Sequence, residues 1–198
     1  MNREEEKRPG RGRRRLPRII SRALWMAVFV LTFPVISLAA TAGEIDRDVN
    51  IALEKLYQHT PAAKNMAAIA KGVLVFPDII KGGFILGGQY GEGALRVGGK
   101  TTGYYRTVAA SYGLQIGAQS FGYALFFLDD EGLRYLQKSE GWEVGVGPQI
   151  VLMDEGAETS LSTTTAKSGV YAFFFDQKGL MAGVSIQGSK ITQFTPGL

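Results

Sequence analysis

Few side chains in this chain could carry out chemistry, and their spacing favours no particular reaction. The chain has no cysteine and a single histidine, His59. The absence of cysteine excludes thiolate nucleophiles, disulfides and thiolate metal sites. His59 comes directly before Thr60-Pro61, at the predicted end of a helix, where histidine more often interacts with the helix dipole than acts as a general base. A lone histidine also predicts no zinc site.

Paired carboxylates could in principle hydrolyse a glycoside, but the acidic residues of this chain fit structural positions better. The run Asp129-Asp130-Glu131 fits the start of a helix, and Asp154-Glu155 fits a turn. No G-x-S-x-G motif is present for a serine nucleophile. We therefore predict a protein that is not an enzyme and needs no cofactor or metal.

Two glycine-rich segments resemble phosphate-binding loops without matching them. Gly98-Gly99-Lys100-Thr101 resembles the end of a phosphate loop, but Ala94 stands where that motif requires glycine, and no helical pattern follows. The segment GGQYGEG at 87–93 does not have the spacing of the dinucleotide motif. It is more typical of a hairpin bend, so nucleotide binding is not predicted.

The first 42 residues differ in composition from the rest. An arginine-rich stretch precedes the apolar segment 23–39, and Ala40-Thr41-Ala42 has the small-x-small form of a leader-peptidase site. The apolar segment is short for a membrane span, which needs about 20 residues. We predict a secretory leader over residues 1–42, with an uncleaved N-terminal anchor as the alternative. The protein is then exported to the periplasm or cell envelope.

The net charge of the remaining chain argues against nucleic acid as a partner. Residues 1–42 hold 9 of the 22 basic and 3 of the 18 acidic residues, which leaves a net charge of −2 on residues 43–198. The remaining charge is uneven, with +5 over residues 55–106 and −6 over residues 129–158. These stretches are either two solvated faces or a basic face for anionic lipid headgroups and an acidic face that points away.

The pattern of apolar residues predicts helices first and strands afterwards. Residues 45–58 carry one apolar stripe at helical spacing, Thr60-Pro61 predicts the start of a second helix ending at Gly72, and residues 129–138 predict a third. Between Val73 and Phe194 most other segments are strand-like, with a turn expected at Lys81-Gly82-Gly83 after a strand that ends at Pro77. Residues 154–168 predict a surface loop.

Glycine content indicates how the sheet is shaped. Of the 26 glycines, 24 follow residue 42, and many lie inside predicted strands, where glycine allows a bend, a bulge or close approach of backbones. The short connections favour antiparallel pairing. We predict a single α+β domain over residues 43–198, in which N-terminal helices pack on a Gly-rich, strongly curved, mainly antiparallel sheet or partly closed barrel.

Four segments of the chain resemble the SYLF domain family. They are KGVLVFPDIIKGGFILGGQYGEG at 71–93, YGLQIGAQSFGYALFFL at 112–128, GPQI within 142–153, and VYAFFFDQKGLMAGVSIQGSKI at 170–191. The resemblance implies a non-enzymatic domain that binds phospholipid membranes. Eukaryotic members bind phosphoinositides, and a yeast member binds and bundles actin. Because this chain carries a predicted leader and no adaptor domain, neither ligand is expected to be its natural one.

The resemblance and the charge pattern together predict a lipid-binding site. In the family the basic, amphipathic N-terminal part is implicated in membrane contact, which points to the 45–58 helix. We expect its stripe to enter the membrane and the basic residues to contact headgroups. The stripe residues are Val49, Leu53, Leu56 and Tyr57, and the basic residues are Lys64, Lys71, Lys81, Arg96, Lys100 and Arg106.

One alternative comes from another functional class. The Gly-rich sheet could instead dock a protein partner or associate with itself, as a structural module related to the actin-binding members. An enzyme of unknown type is the third possibility. Peripheral binding to a phospholipid membrane remains the preferred hypothesis.

Overall fold

Three helices and eight strands make up the part of the chain that the structure, a computed structural model, describes. The described residues are 40–83, 86–112, 117–153, 169–179, 186 and 188–197. The chain divides into two compact units, residues 1–38 and Ala39–Leu198, and every described residue belongs to the second. Most of the predicted leader, residues 1–39, and the predicted loop at 154–168 lie outside the described residues.

The first two helices lie where the sequence predicts them. Helix α1 spans Ala42–His59 and α2 spans Pro61–Ala67. Thr41 caps α1: its hydroxyl accepts the Glu44 N–H at 3.3 Å, and its own N–H donates to the Glu44 carboxylate at 2.9 Å. Helix α2 ends earlier than predicted because the chain must turn into the sheet, where the Lys71 N–H already donates to the Phe127 carbonyl at 2.8 Å.

The third helix, α3, spans Asp130–Lys138, which confirms the prediction for this segment. The Asp129 carboxylate accepts the Gly132 N–H at 2.8 Å and the Gly169 N–H at 2.6 Å. These donors, Gly132 foremost, lower the pKa of Asp129. The acidic run therefore caps a helix and fixes its start to a distant strand, in agreement with the structural interpretation of its sequence.

The eight strands form one sheet with the order β5-β8-β3-β2-β1-β4-β7-β6. Every pairing is antiparallel except β6 with β7, which is parallel. A parallel bridge between Thr41 and Gly197 joins the two ends of the described chain. The strands are β1 Gly72–Gly83, β2 Leu86–Val97, β3 Lys100–Tyr112, β4 Gly117–Phe127, β5 Trp142–Glu143, β6 Ile150–Met153, β7 Val170–Gly179 and β8 Lys190–Phe194.

Strand β1 is longer than the sequence predicts. It continues past Pro77 and through Lys81-Gly82-Gly83, so the predicted strand end and turn were wrong. The register against β2 and β4 shifts between Val75 and Ile79. This bulge accommodates Pro77, which has no N–H for the ladder, and the strand resumes beyond it.

The GGQYGEG segment is part of strand β2, so the predicted hairpin bend at 87–93 was also wrong. A Cβ at Gly91 would lie 2.3 Å from the Ile79 Cδ1, and one at Gly93 would lie 2.0 Å from the Val75 carbonyl oxygen. Both glycines therefore permit close approach of β1 to β2. The turn lies instead at Gly98-Gly99, whose positive φ values of 57° and 78° suit a two-residue hairpin.

Both faces of the sheet are buried over much of its area. The outer face, defined as the one that α1 and α2 cover, packs Val73, Val75, Ala94 and Phe126 against helix residues such as Val49 and Leu56. The inner face packs side chains from β1 to β5, β7 and β8 into a second core, closed by Leu133 and Leu136 of α3. The largest buried side chains there are Phe76, Tyr105, Phe121, Tyr123, Phe127 and Trp142.

The coarse form of the predicted fold is confirmed. The sheet is Gly-rich, curled and mainly antiparallel, and two helices precede it. The structure makes this more specific, because the sheet is mixed and forms a half-barrel. The runs 124–128 and 172–175, which are apolar at every position, have side chains in both cores, as expected for strands buried on two faces.

The close approach of β1 and β2 generates a prediction for Gly93. Gly93→Ala should destabilise the domain by about 3 kcal/mol, since the methyl group would overlap the Val75 backbone, which cannot move aside within the ladder. Chemical denaturation measures the change. Gly88→Ala in the same strand is the control, because its Cβ would meet only the Ala109 carbonyl oxygen at 3.7 Å. Equal stabilities of the two variants would contradict the packing described.

Candidate membrane-binding surface

The N-terminal end of α1 is held to the outer face by the carboxylate of Asp46. Asp46 accepts the Thr101 hydroxyl at 2.6 Å and the Tyr104 hydroxyl at 3.0 Å, both from β3. Arg96 of β2 donates to the Asp46 carbonyl at 3.2 Å and to the Asn50 side chain at 2.8 Å. Desolvation, followed by the bond to Asp46, raises the pKa of Tyr104. These contacts fix the helix across two strands.

Arg96 therefore has a structural role in this arrangement. Its guanidinium lies 3.4 Å from the Asp46 carboxylate, and only 14% of its side chain is exposed. Its Nη2 is already engaged by the helix, and the burial of the side chain limits access for a phosphate oxygen. Of the predicted headgroup ligands, Arg96 is the one that the fold already uses.

The apolar stripe of α1 faces the sheet. Val49 and Leu56 are buried, and Leu53 and Tyr57 are partly buried against the same core. Insertion of these four side chains into a membrane would require α1 to leave the sheet. In the docked position the predicted insertion stripe forms part of the protein core.

The structure separates the other predicted basic residues. Lys64, Lys71 and Lys100 are exposed; Lys71 precedes the first residue of β1, and Lys100 begins β3 beside the Gly98-Gly99 turn. Lys81 is partly buried near the opposite end of β1, ten residues from Lys71 and about 30 Å away at the rise of a strand. Arg106 is exposed in the middle of β3. The six residues do not form one cluster.

An exposed apolar row occupies a part of the outer face that α1 and α2 leave uncovered. Ile80, Tyr90 and Val108 lie directly opposite one another on the neighbouring strands β1, β2 and β3. Their exposed fractions are 63%, 45% and 45%. Adjacent cross-strand positions bring their side chains into contact range. We call these three residues the outer row.

Basic residues flank the outer row at both ends. Lys190 of β8 pairs with Val108, and Lys178 of β7 pairs with Ser120, the β4 neighbour of Ile80. Arg106 lies two residues from Val108 on the same face and stacks over the Phe194 ring at 5.9 Å. Asp78 and Glu92 lie opposite each other on β1 and β2, next to the row.

Glu92 connects the outer row to the beginning of the described chain. Its carboxylate accepts the Tyr90 hydroxyl and also the Ala40 N–H, the latter at 3.3 Å. Desolvation, followed by Glu92, raises the pKa of Tyr90 to about 12. The acidic charge of Glu92 is thus engaged within the protein, which leaves Asp78 as the exposed acid beside the row.

Comparison with known families gives a match over the second half of the chain. Residues 108–195 match the family model described as Ysc84, Las17-binding protein actin regulator. The SYLF resemblance is confirmed. The SYLF match includes three of the four segments on which the resemblance rests; the first, at 71–93, lies outside it. No curated protein matches the chain.

The SYLF-matched residues do not form a closed structural unit by themselves. They supply the end of β3 together with β4 to β8 and α3, whereas β1 and β2 lie between β3 and β4 in the sheet. The two unmatched strands therefore join the two groups of matched strands. They also carry Ile80 and Tyr90 of the outer row.

Two other features are absent from the described residues. No helix there has the length and apolar character needed to cross a membrane. Nor do His, Asp or Glu side chains of that part of the chain gather in a group of three or more that could hold a metal ion. His59, the candidate general base, bonds through its Nδ1 to the Lys55 carbonyl at 2.8 Å.

The outer row was not identified from the sequence. Ile80 lies between the predicted strand end at Pro77 and the predicted turn at Lys81, and Tyr90 lies within the predicted hairpin bend at 87–93. The consecutive pair Ile79-Ile80 did contain a signal, because neighbouring residues of a strand face opposite sides. Ile79 is fully buried on the inner face, so Ile80 must point outward.

The Asp46 contacts generate a stability prediction. Asp46→Ala should cost about 2 kcal/mol, because it removes the acceptor of the Thr101 and Tyr104 hydroxyls and the carboxylate paired with Arg96, in a partly buried position. Thermal and chemical denaturation measure the loss. Asp48→Ala is the matched control on the same helix, because Asp48 forms only an exposed pair with Arg47 at 3.1 Å and should change stability by less than about 0.5 kcal/mol.

The raised pKa of Tyr90 generates a prediction for alkaline stability. Since its pKa of about 12 in the fold exceeds the ordinary 10.0, the neutral hydroxyl stabilises the fold fully below about pH 10, and this contribution is lost as the pH rises through 12. Denaturation of the parent and of Tyr90→Phe between pH 9 and about pH 12 should show a shallower decline in the variant. Other buried tyrosines affect both proteins alike. Identical slopes would contradict the assignment.

Proposed function

We propose that the SYLF region and the strands it surrounds form a non-enzymatic module that binds phospholipid membranes, peripherally and in the cell envelope. The observation that carries the proposal is the outer row. Three large apolar or aromatic side chains stand exposed side by side on the outer face, beyond the part that α1 and α2 cover. Contiguous exposed apolar residues rimmed by polar ones are typical of membrane or protein contact sites.

The shape and chemistry of the outer row suit a lipid surface. Side chains from three adjacent strands form a shallow patch, which can enter the boundary between headgroups and acyl chains without a conformational change. Tyr90 brings an aromatic ring with a polar hydroxyl, a combination favoured at membrane interfaces. Arg106, Lys178 and Lys190 would meet anionic headgroups at about 1 kcal/mol each near the surface.

The basic residues predicted from the sequence have a secondary part in this proposal. Lys64, Lys71 and Lys100 are exposed and would add long-range attraction to an anionic surface. Lys81 follows Ile80 on β1, so its side chain points to the opposite face and takes no part in the contact. The family resemblance supports lipid binding in general terms, and no particular lipid headgroup is assigned.

Protein binding is the second candidate function, and a different observation favours it. Strand β6 lies at the end of the sheet and exposes Val151 and Leu152. A cleft of about 390 Å³ adjoins it, lined by residues that include Val144, Pro148 and Leu152. An apolar strand at a sheet edge can pair with an extended segment of another chain. The family description names Las17 binding and actin regulation, which makes this class of function relevant.

Vesicle co-sedimentation with substitutions in the outer row tests the proposed function. Ile80→Ser combined with Val108→Ser should weaken binding to anionic vesicles about 30-fold, equivalent to about 2 kcal/mol, because two aliphatic side chains no longer insert. The melting temperature should change little, since both side chains are exposed. Failure of the parent protein to bind any vesicle would refute the lipid proposal.

A matched control uses two isoleucines that are exposed elsewhere. Ile51 on α1 and Ile69 after α2 are 47% and 40% exposed. Ile51→Ser with Ile69→Ser should leave vesicle affinity within about twofold of the parent. A loss of binding in this control, with none in the outer-row variant, would place the contact on the helices instead. Binding should also weaken with added salt, because exposed charges are screened over about 8 Å at physiological ionic strength.

A further inference from the structure

The leader contains two positions that match the sequence preference of a leader peptidase. Such enzymes require small side chains at the first and third residues before the cut. Ala40-Thr41-Ala42 meets this requirement for a cut before Gly43, and Ser37-Leu38-Ala39 meets it for a cut before Ala40. The two positions lie three residues apart, so the sequence pattern alone does not distinguish them. The two cuts differ in the contacts of the folded domain that they would remove.

A cut before Gly43 would remove residues that the fold uses. Thr41 forms both bonds of the capping box with Glu44 and the parallel bridge with Gly197. Loss of a capping threonine leaves the first N–H groups of α1 without an acceptor. A chain beginning at Gly43 would therefore have a frayed α1 at the end that Asp46 holds to the sheet.

A cut before Ala40 would instead place the new amino terminus next to an acid. The Ala40 nitrogen lies 3.3 Å from the Glu92 carboxylate, an atom pair already within hydrogen-bond range. As a peptide nitrogen it donates one hydrogen bond. As an α-ammonium group it would carry a positive charge at the same position, and a charge-assisted bond is stronger than a neutral one.

We propose that the exported chain is processed at the Ala39–Ala40 bond and that Glu92 holds the resulting α-ammonium group. In the reaction a leader peptidase catalyses addition of water across the peptide bond. The Ala39 carbonyl becomes a carboxylate on the released leader, and the Ala40 nitrogen becomes the amino terminus and takes up a proton. The inference rests on the predicted secretory leader, whose end it moves from residue 42 to residue 39, and is independent of membrane binding.

The described residues that each cut removes also differ. A cut after Ala39 removes none of them. A cut after Ala42 would remove three, among them the helix cap Thr41. The earlier site therefore yields the product with the more complete set of native contacts.

Identification of the mature terminus tests the cleavage position. The full chain is produced in an exporting bacterial host, and the envelope fraction is examined by N-terminal sequencing and intact mass. We expect the sequence to begin at Ala40. A terminus at Gly43 would overturn the proposal, and an intact Met1 terminus would overturn the leader prediction as well. Vesicle binding of the recovered protein is measured separately, so failure here and failure of the proposed function are distinguishable.

Two leader variants provide a matched comparison. Ala39→Leu places a large side chain directly before the proposed cut, and Ala42→Leu does the same for the alternative one. Ala39→Leu should abolish the Ala40 terminus, whereas Ala42→Leu should leave its yield unchanged. The opposite result would assign processing to the bond before Gly43.

Thermal unfolding tests the role of Glu92. Chains beginning at Ala40 and at Gly43 are released from a cleavable fusion and compared with and without Glu92→Gln. The Gly43 chain should melt about 3 °C lower or more, because it lacks the cap. Glu92→Gln should lower the melting temperature of the Ala40 chain more than that of the Gly43 chain. Equal effects in both chains would overturn the pairing of Glu92 with the amino terminus.

Discussion

The close approach of β1 and β2 is the constraint on which the rest of the structure depends. Gly91 and Gly93 have no side chain to hold the two strands apart on the inner face, and their absent Cβ atoms would overlap Ile79 and Val75. Phe76 of β1 fills the space beside Gly93. Its ring also packs against Tyr123 of β4, with the ring centroids 4.9 Å apart and the ring planes tilted by 42°. The curl is consistent with this asymmetry, since β2 has only glycine at positions 91 and 93 where the inner faces of β1 and β3 carry bulky residues such as Phe76 and Tyr105.

The curvature of the sheet also determines how much of its outer face the helices can cover. A sheet with its inner side filled must bury its other side against something else, and α1 and α2 cover only part of it. Asp46 fixes how far α1 extends, because it bonds to β3 at Thr101 and Tyr104 and so positions the helix toward the Gly98-Gly99 end of the hairpin. The outer row lies beyond that limit. The outer row is therefore exposed because of where the helices lie and how the sheet curves. The identities of Ile80, Tyr90 and Val108 alone do not predict either feature.

Most helices and strands could be predicted from the sequence, but the way they pair and pack against one another could not. The α1 stripe, the Asp129 cap and the two-faced apolar runs follow from local periodicity and capping chemistry, and each was predictable. Pro77 and the glycines of 87–93 led to wrong predictions, because proline and glycine usually mark the end of a strand. Here β1 continues past Pro77 through a bulge, and β2 continues through its glycines because they allow β1 to approach closely. That information lies in the register with β2 and β4, between residues far apart in the chain.

The candidate site was harder to predict for the same reason. A basic residue is recognisable in a sequence, but its partner is not. Arg96 pairs with Asp46, which lies fifty positions earlier. Lys178 and Lys190 flank the outer row only because of how β7 and β8 pair in the sheet. The stripe of α1 was correctly recognised as apolar. Its contact with the sheet core could not be distinguished from contact with a membrane by periodicity, which is the same in both cases.

The pairing of β8 with β3 has a consequence for the time course of folding. These strands lie some eighty residues apart in the chain, and the Thr41–Gly197 bridge joins the two ends of its described part. Contacts of such long sequence separation form late, because most of the chain must be ordered before they can close, and domains dominated by them fold in milliseconds to seconds. The half-barrel is thus completed only when the last strand is available. Until β8 pairs with β3, that edge of the sheet and both ends of the described chain stay open.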